Sequence, residues 1–138
     1  MNASSNVEIL KEAYQKWNDN KQDSFQHWMD LMADNVQLNS ISNGEPGMEF
    51  TRTCHGKKDV LRYFTELAEV WEMLHYTAEE FISEGERVVM IGRCAWKHRH
   101  TGKVVETPKV DIIRMRDSKI VEFYELFDTE KARSATLE

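Results

Sequence analysis

The hydrophobic period of this chain changes once, from three or four residues to two, and the change falls near Tyr76. Before it, Val7, Leu10, Tyr14 and Trp17 recur at helical spacing and mark one stripe of an amphipathic helix. Asn18 to Lys21 interrupts that helix. Asp23 or Ser24 can cap a second, short helix carrying Phe25, Trp28, Met29 and Met32. Ala33-Asp34-Asn35 ends it, and the alternation of Val36, Leu38 and Ser40 with polar neighbours predicts a strand. Ser42 to Gly47, with two glycines and a proline, reads as a loop, and Phe50 to Cys54 as a short strand. Gly56 leads into a third helix with Val60, Leu61, Phe64, Leu67, Ala68 and Trp71 on one side. After the change, alternation predicts strands over 76–83, 86–98, 103–116 and 119–127. Glu84-Gly85-Glu86, His100-Thr101-Gly102 and Asp117-Ser118 serve as the turns between them.

Helices followed by an antiparallel meander define an α+β class. The sheet must curl over the third helix to bury both apolar surfaces. The expected fold is therefore a cone-shaped barrel of three N-terminal helices on a strongly curved antiparallel sheet. Its 138 residues suit one domain, 1–138, with a frayed tail over 130–138. Net charge is −6, which argues against a nucleic-acid partner, whose footprint would be basic. No apolar run is long enough for a bilayer, so no membrane is expected. The polar start, Met1 to Asn6, lacks the pattern of a signal peptide, and a cytoplasmic setting is the expectation. Cys54 and Cys94 fit reduced thiols there.

Two runs carry a family resemblance. Val110-Asp111-Ile112-Ile113-Arg114-Met115, then Asp117-Ser118-Lys119-Ile120-Val121, then Phe127-Asp128 resemble the SnoaL-like polyketide cyclases of the nuclear-transport-factor-2-like superfamily. There an acidic strand residue precedes a "DGKI"-like turn, and the last strand ends in aspartate. Ser118 stands where the glycine is usual. The chain is also similar to the ketosteroid isomerases. Their oxyanion-hole tyrosine on the first helix matches Tyr14, and their protonated oxyanion-hole aspartate matches Asp111. Their general base falls on Ser40, whose hydroxyl has no useful basicity near neutral pH. The resemblance to the cyclases implies instead an acid–base aspartate at Asp128. It also implies a homodimer through the outer sheet face, where Val110, Ile112, Tyr124 and Leu126 lie.

The candidate catalytic groups are therefore Asp111, Tyr14, Asp128 and Glu125. Asp111 has two readings. Buried and protonated, it donates to an enolate oxygen beside Tyr14; paired with Lys109, Arg93 or Arg114, it stays charged. Asp128 and Glu125 compete through strand register. Alternation places Phe123, Glu125 and Phe127 on one face and Tyr124, Leu126 and Asp128 on the other. If Phe127 faces inward, so does Glu125; a bulge would bring in Asp128, which otherwise caps a tail helix.

The expected lining is Trp17, Ser40, Phe50, His55, Phe64, Trp71, Met90, Gly92, Cys94, Trp96, Ile113 and Phe127, with Gly92 leaving space for a ligand. A Met- and Trp-rich cone suits a small, flat apolar molecule. Gly92, five residues and then His98-Arg99-His100 imitates a cupin metal motif, but no second such motif follows, and the segment reads as a hairpin tip. No metal and no cofactor are expected. The function is then either cofactor-independent acid–base catalysis on a carbonyl compound, by isomerisation or aldol-type cyclisation, or ligand binding or dimerisation without chemistry.

Overall fold

The computed structural model describes residues 3–138; Met1 and Asn2, the first residues of the polar start, lie outside the described residues. Helix α1 spans Ala3–Asn20 and α2 spans Phe25–Leu31, with a turn of 3-10 helix at Lys21–Ser24 between them. Strand β1 follows at Met32–Ser40, then β2 at Cys54–His55, helix α3 at Gly56–Val70, and strands β3 at Trp71–Glu84, β4 at Arg87–His98, β5 at Val104–Arg116 and β6 at Lys119–Phe127. A last helix, α4, occupies Thr129–Ala135. The class is α+β, as expected.

Four details differ from the expectation, each for a local reason. The six strands run β2-β1-β6-β5-β4-β3 in one curved sheet that does not close into a barrel. The sheet is not wholly antiparallel, because β1 pairs with β6 in parallel, Leu38 beside Phe123 and Ser40 beside Glu125. Phe50 lies in a 3-10 turn at Glu49–Thr51 rather than in a strand, fixed by Thr51, whose hydroxyl donates to the Met48 carbonyl. Most of the tail is helical: α4 is capped by Asp128, whose side chain accepts from the Lys131 N–H, and it buries Ala132 and Ala135. An N-cap of this kind contributes about 1 kcal/mol.

Alternation explains the sheet well. On β5, Val105, Thr107, Lys109, Asp111, Ile113 and Met115 are buried, and their neighbours are more exposed. The Asp117-Ser118 turn holds both residues at positive φ, 52° and 65°, which tightens the β5–β6 hairpin despite the missing glycine. Bulges on β3, near Met73/His75 and Ala78/Glu80, shift its pairing with β4 and turn Tyr76 inward. Gly92 sits opposite the second bulge. A Cβ there would meet the Thr77 carbonyl oxygen at 2.0 Å, so the glycine makes room for the neighbouring strand and not for a ligand.

The core lies between the sheet's concave face and helices α1–α3. Tyr14 packs edge-on against Trp28 at 5.0 Å between ring centroids and stacks on Tyr76 at 5.8 Å. Such pairs add about 0.5–1.5 kcal/mol each beyond their buried area. Among the described residues, no helix is long and apolar enough to cross a membrane.

Candidate active site

Two inward carboxylates sit side by side on the concave face. Asp111 of β5 and Glu125 of β6 are directly paired in register, and both are buried. Lys109 precedes Asp111 by two residues on the same strand, so alternation puts its ammonium on the same face. Its Nζ lies 2.5 Å from Asp111 Oδ1 and 3.7 Å from Glu125 Oε1.

The two carboxylates are served differently. Asp111 Oδ2 accepts from the Tyr14 hydroxyl at 2.6 Å and the Tyr76 hydroxyl at 2.8 Å, while Oδ1 accepts from Lys109. Lys109 also donates to the Tyr76 hydroxyl oxygen at 3.0 Å. Both oxygens of the Asp111 carboxyl are thus occupied by protein groups, Oδ1 by the Lys109 Nζ and Oδ2 by the two tyrosine hydroxyls. Of its two readings, the geometry favours the ion pair with Lys109 over the protonated oxyanion-hole donor. Glu125 accepts one side-chain bond, from the Tyr63 hydroxyl to Oε1 at 2.6 Å.

Burial on its own would lower the Lys109 pKa, but the Asp111 and Glu125 charges outweigh it, and the pKa is raised. The nitrogen stays an ammonium near neutral pH. It has no lone pair for attack on a carbonyl, which excludes it as a Schiff-base nucleophile there. Burial, followed by the neighbouring carboxylate charges, holds the Tyr14, Tyr63 and Tyr76 hydroxyls well above the usual tyrosine range. They are neutral donors.

These groups lie at one side of a cavity of about 100 Å³. Of the expected catalytic residues, Tyr14, Asp111 and Glu125 border it, and of the expected lining, Trp17, Phe50, Phe64, Trp71, Cys94, Trp96 and Phe127. Burial pushes the Cys94 thiol up to about 11, so it is an inert wall. The other expected residues are placed elsewhere. Asp128 follows the alternation away from the cavity and caps α4, which leaves Glu125 as the inward carboxylate of β6. Ser40 is buried beside Ser42, with 3.1 Å between their oxygens, and Ser42 donates on to Thr51. His55 is exposed ahead of α3. Met90 and Ile113 are fully buried core, and Gly92 faces β3. At the hairpin, the His98 ring packs on Trp71 at 4.9 Å, and its Nδ1 accepts from the Thr101 N–H.

Tyr63, Tyr76 and Lys109 complete the cluster but were not among the expected site residues. Lys109 had a signal, two residues from Asp111 on one strand face. Tyr63 also had one: it lies at i+3 from Val60 and i−4 from Leu67, both buried on α3. Tyr76 had none, because its direction depends on a bulge.

The model of the SnoaL-like domain matches residues 10–123, most of the chain. The chain belongs to the SnoaL-like domain family. An NTF2-like protein from Burkholderia thailandensis is 21% identical over 100% of both chains, with a TM-score of 0.81. A protein called a SnoaL-like polyketide cyclase, from Jannaschia, is 17% identical over 97% of this chain and 92% of its own, with a TM-score of 0.78. A protein of ketosteroid isomerase-like fold from Catenulispora acidiphila is 12% identical over 94% of this chain and 92% of its own, with a TM-score of 0.74. These likenesses establish the fold of this SnoaL-like chain. No curated protein matches it.

Proposed function

We propose that this SnoaL-like protein is a cofactor-independent acid–base enzyme acting on a small carbonyl compound. The observation that carries the reading is Glu125, a buried carboxylate bordering an apolar cavity, 3.7 Å from a buried ammonium. Glu125 takes a proton from the carbon next to the carbonyl. The electron pair moves into an enolate, and the Lys109 ammonium stabilises the negative oxygen electrostatically. Asp111, Tyr14 and Tyr76 hold that ammonium in place and do not exchange protons with substrate. Tyr63 orients the Glu125 carboxylate. In isomerisation, Glu125 returns the proton to a different carbon of the same molecule. In aldol-type closure, the enolate carbon attacks a second carbonyl carbon, and the resulting alkoxide takes the proton from Glu125.

Cavity size restricts the substrate. About 100 Å³ is less than the ~150 Å³ cavity that admits benzene in an engineered protein. Only the reacting part of a larger molecule fits beside Glu125. The tight aromatic wall also favours a second reading, ligand binding without chemistry, and one experiment separates the two. A panel of small ketones and diketones is incubated in heavy water, and exchange at the α carbon is followed by NMR. Wild-type protein is expected to accelerate exchange for at least one compound, and Glu125→Gln to slow it by about a hundredfold or more. A wild type no faster than buffer across the panel, or an equally fast variant, defeats the catalytic reading.

The outer sheet face supports a homodimer. Val110, Ile112 and Leu126 are half-buried there, and Tyr124 is 39% exposed. Sheet-face pairing about a two-fold axis would cover them. Light scattering at micromolar concentration is expected to give twice the chain mass, and Tyr124→Lys to shift it toward monomer. Two buried free thiols, Cys54 and Cys94, are consistent with a reducing, cytoplasmic setting.

A further inference from the structure

Charge inside the cone does not balance. Asp111 and Lys109 form a neutral pair, with the carboxylate accepting three donors and the lysine held as an ammonium. Glu125 adds a second carboxylate, and Lys109 is the one cation among the described residues that line the cavity. With Glu125 ionised, the cluster carries one uncompensated negative charge at about 5% exposure. A buried charge without a partner is expensive, so the site gains by acquiring a positive one.

The walls suit the same kind of ligand. Tyr63, whose hydroxyl reaches Glu125, packs edge-on against Phe50 at 5.3 Å and against Phe64 at 5.7 Å; Phe64 in turn meets Trp17 at 5.6 Å. An aromatic surface thus runs without interruption from the carboxylate across the cavity. Aromatic faces attract cations, most strongly when water is excluded.

We infer that the cavity selects small organic ammonium ions over neutral molecules of the same shape. The inference rests on the reading of Glu125 as an inward carboxylate but not on any proton being moved. Joined to the proposed chemistry, it narrows the substrate to a small carbonyl compound bearing an alkylammonium group.

The chain supplies its own probe, since all four of its tryptophans, Trp17, Trp28, Trp71 and Trp96, border the cavity. Methylammonium chloride and methanol are titrated against tryptophan fluorescence, with sodium chloride as the ionic control, and calorimetry checks the stoichiometry. Wild-type protein is expected to bind the cation at least about tenfold more tightly than the alcohol. Glu125→Gln, whose melting curve shows that it folds, brings the two affinities to within a factor of about two by weakening the cation alone. Trp96→Leu weakens the cation more than the alcohol. No saturable cation binding, a wild type that prefers the alcohol, or an unchanged preference in Glu125→Gln overturns the inference. Failure here with intact α-proton exchange leaves the catalytic reading standing. Cation binding without exchange leaves this inference standing alone.

Discussion

Asp111 and Glu125 are neighbours on paired strands, face the same cavity and are equally hidden from bulk water, yet they are held in opposite ways. Asp111 is saturated by two tyrosine hydroxyls and an ammonium. Glu125 has one hydroxyl donor, and the ammonium stands at 3.7 Å. A carboxylate whose lone pairs are filled can position its donors but cannot take up a proton cheaply. A carboxylate with a single donor keeps capacity for a substrate. On the proposed reading, support and chemistry are separated across one pair of facing strand residues.

The sharpest way to break that contrast is to neutralise each carboxylate in turn. Asp111→Asn removes the carboxylate in direct contact with the buried Lys109 ammonium and leaves it only Glu125 at 3.7 Å, at an expected cost of about 3–5 kcal/mol. Glu125→Gln keeps an acceptor for Tyr63 and removes an unbalanced charge, so its cost is expected to stay below about 1.5 kcal/mol. Urea unfolding midpoints, compared at equal slope, measure both. Similar losses in the two variants would mean that the carboxylates share one structural role.

Alkaline pH tests the same division less severely. Tyr14, Tyr76 and Lys109 surround Asp111, and Tyr63 alone serves Glu125; all four have raised pKa values, so each loses its proton first in the unfolded chain. Between the unfolded and folded pKa values, the folded state binds more protons and stability falls as pH rises. Stability from these groups is fully present below about pH 10, near the ordinary tyrosine and lysine values of 10.0 and 10.5, and is lost above it. The slope is about 1.4 kcal/mol per pH unit for each group in its window. Asp111→Asn is expected to flatten the alkaline limb more than Glu125→Gln, because three of the four groups lean on Asp111. Equal flattening would contradict the contrast.

Much of this arrangement was legible in the residues, and the part that was not has definite causes. The period change near Tyr76 located the meander, and alternation on β6 ties Glu125 to the face of Phe127. Asp128 needed a bulge to enter the cavity; the bulges on the meander's first strand turned in Tyr76 instead. A bulge depends on backbone pairing between strands, which alternation within one strand does not encode. Trp71 continued the helical stripe of α3 but starts β3, because a residue at an element junction satisfies both periods. The tail looked frayed since its apolar residues are few, Ala132, Ala135 and Leu137; α4 is held by Asp128 and by Thr101, whose hydroxyl donates to the Ala135 carbonyl. Gly92 was legible as a site of close approach but not of approach by what. The Thr77 carbonyl, not a ligand, fills that space.

The smallest expected effect sharpens the contrast most directly. Tyr63→Phe removes the single hydroxyl donor from Glu125 and leaves the phenyl packing against Phe50 and Phe64 intact. One hydrogen bond to a charged acceptor is lost, at an expected stability cost of about 1.5 kcal/mol. If Tyr63 orients the carboxylate for proton transfer, kcat for α-proton exchange falls several-fold while KM changes little. Tyr14→Phe provides the comparison, because Asp111 would still accept from Tyr76 and Lys109. Its effect on kcat is expected to be smaller than that of Tyr63→Phe, even if its effect on stability is similar. A larger kcat loss in Tyr14→Phe would reverse the assignment and make Asp111 the carboxylate that meets the substrate.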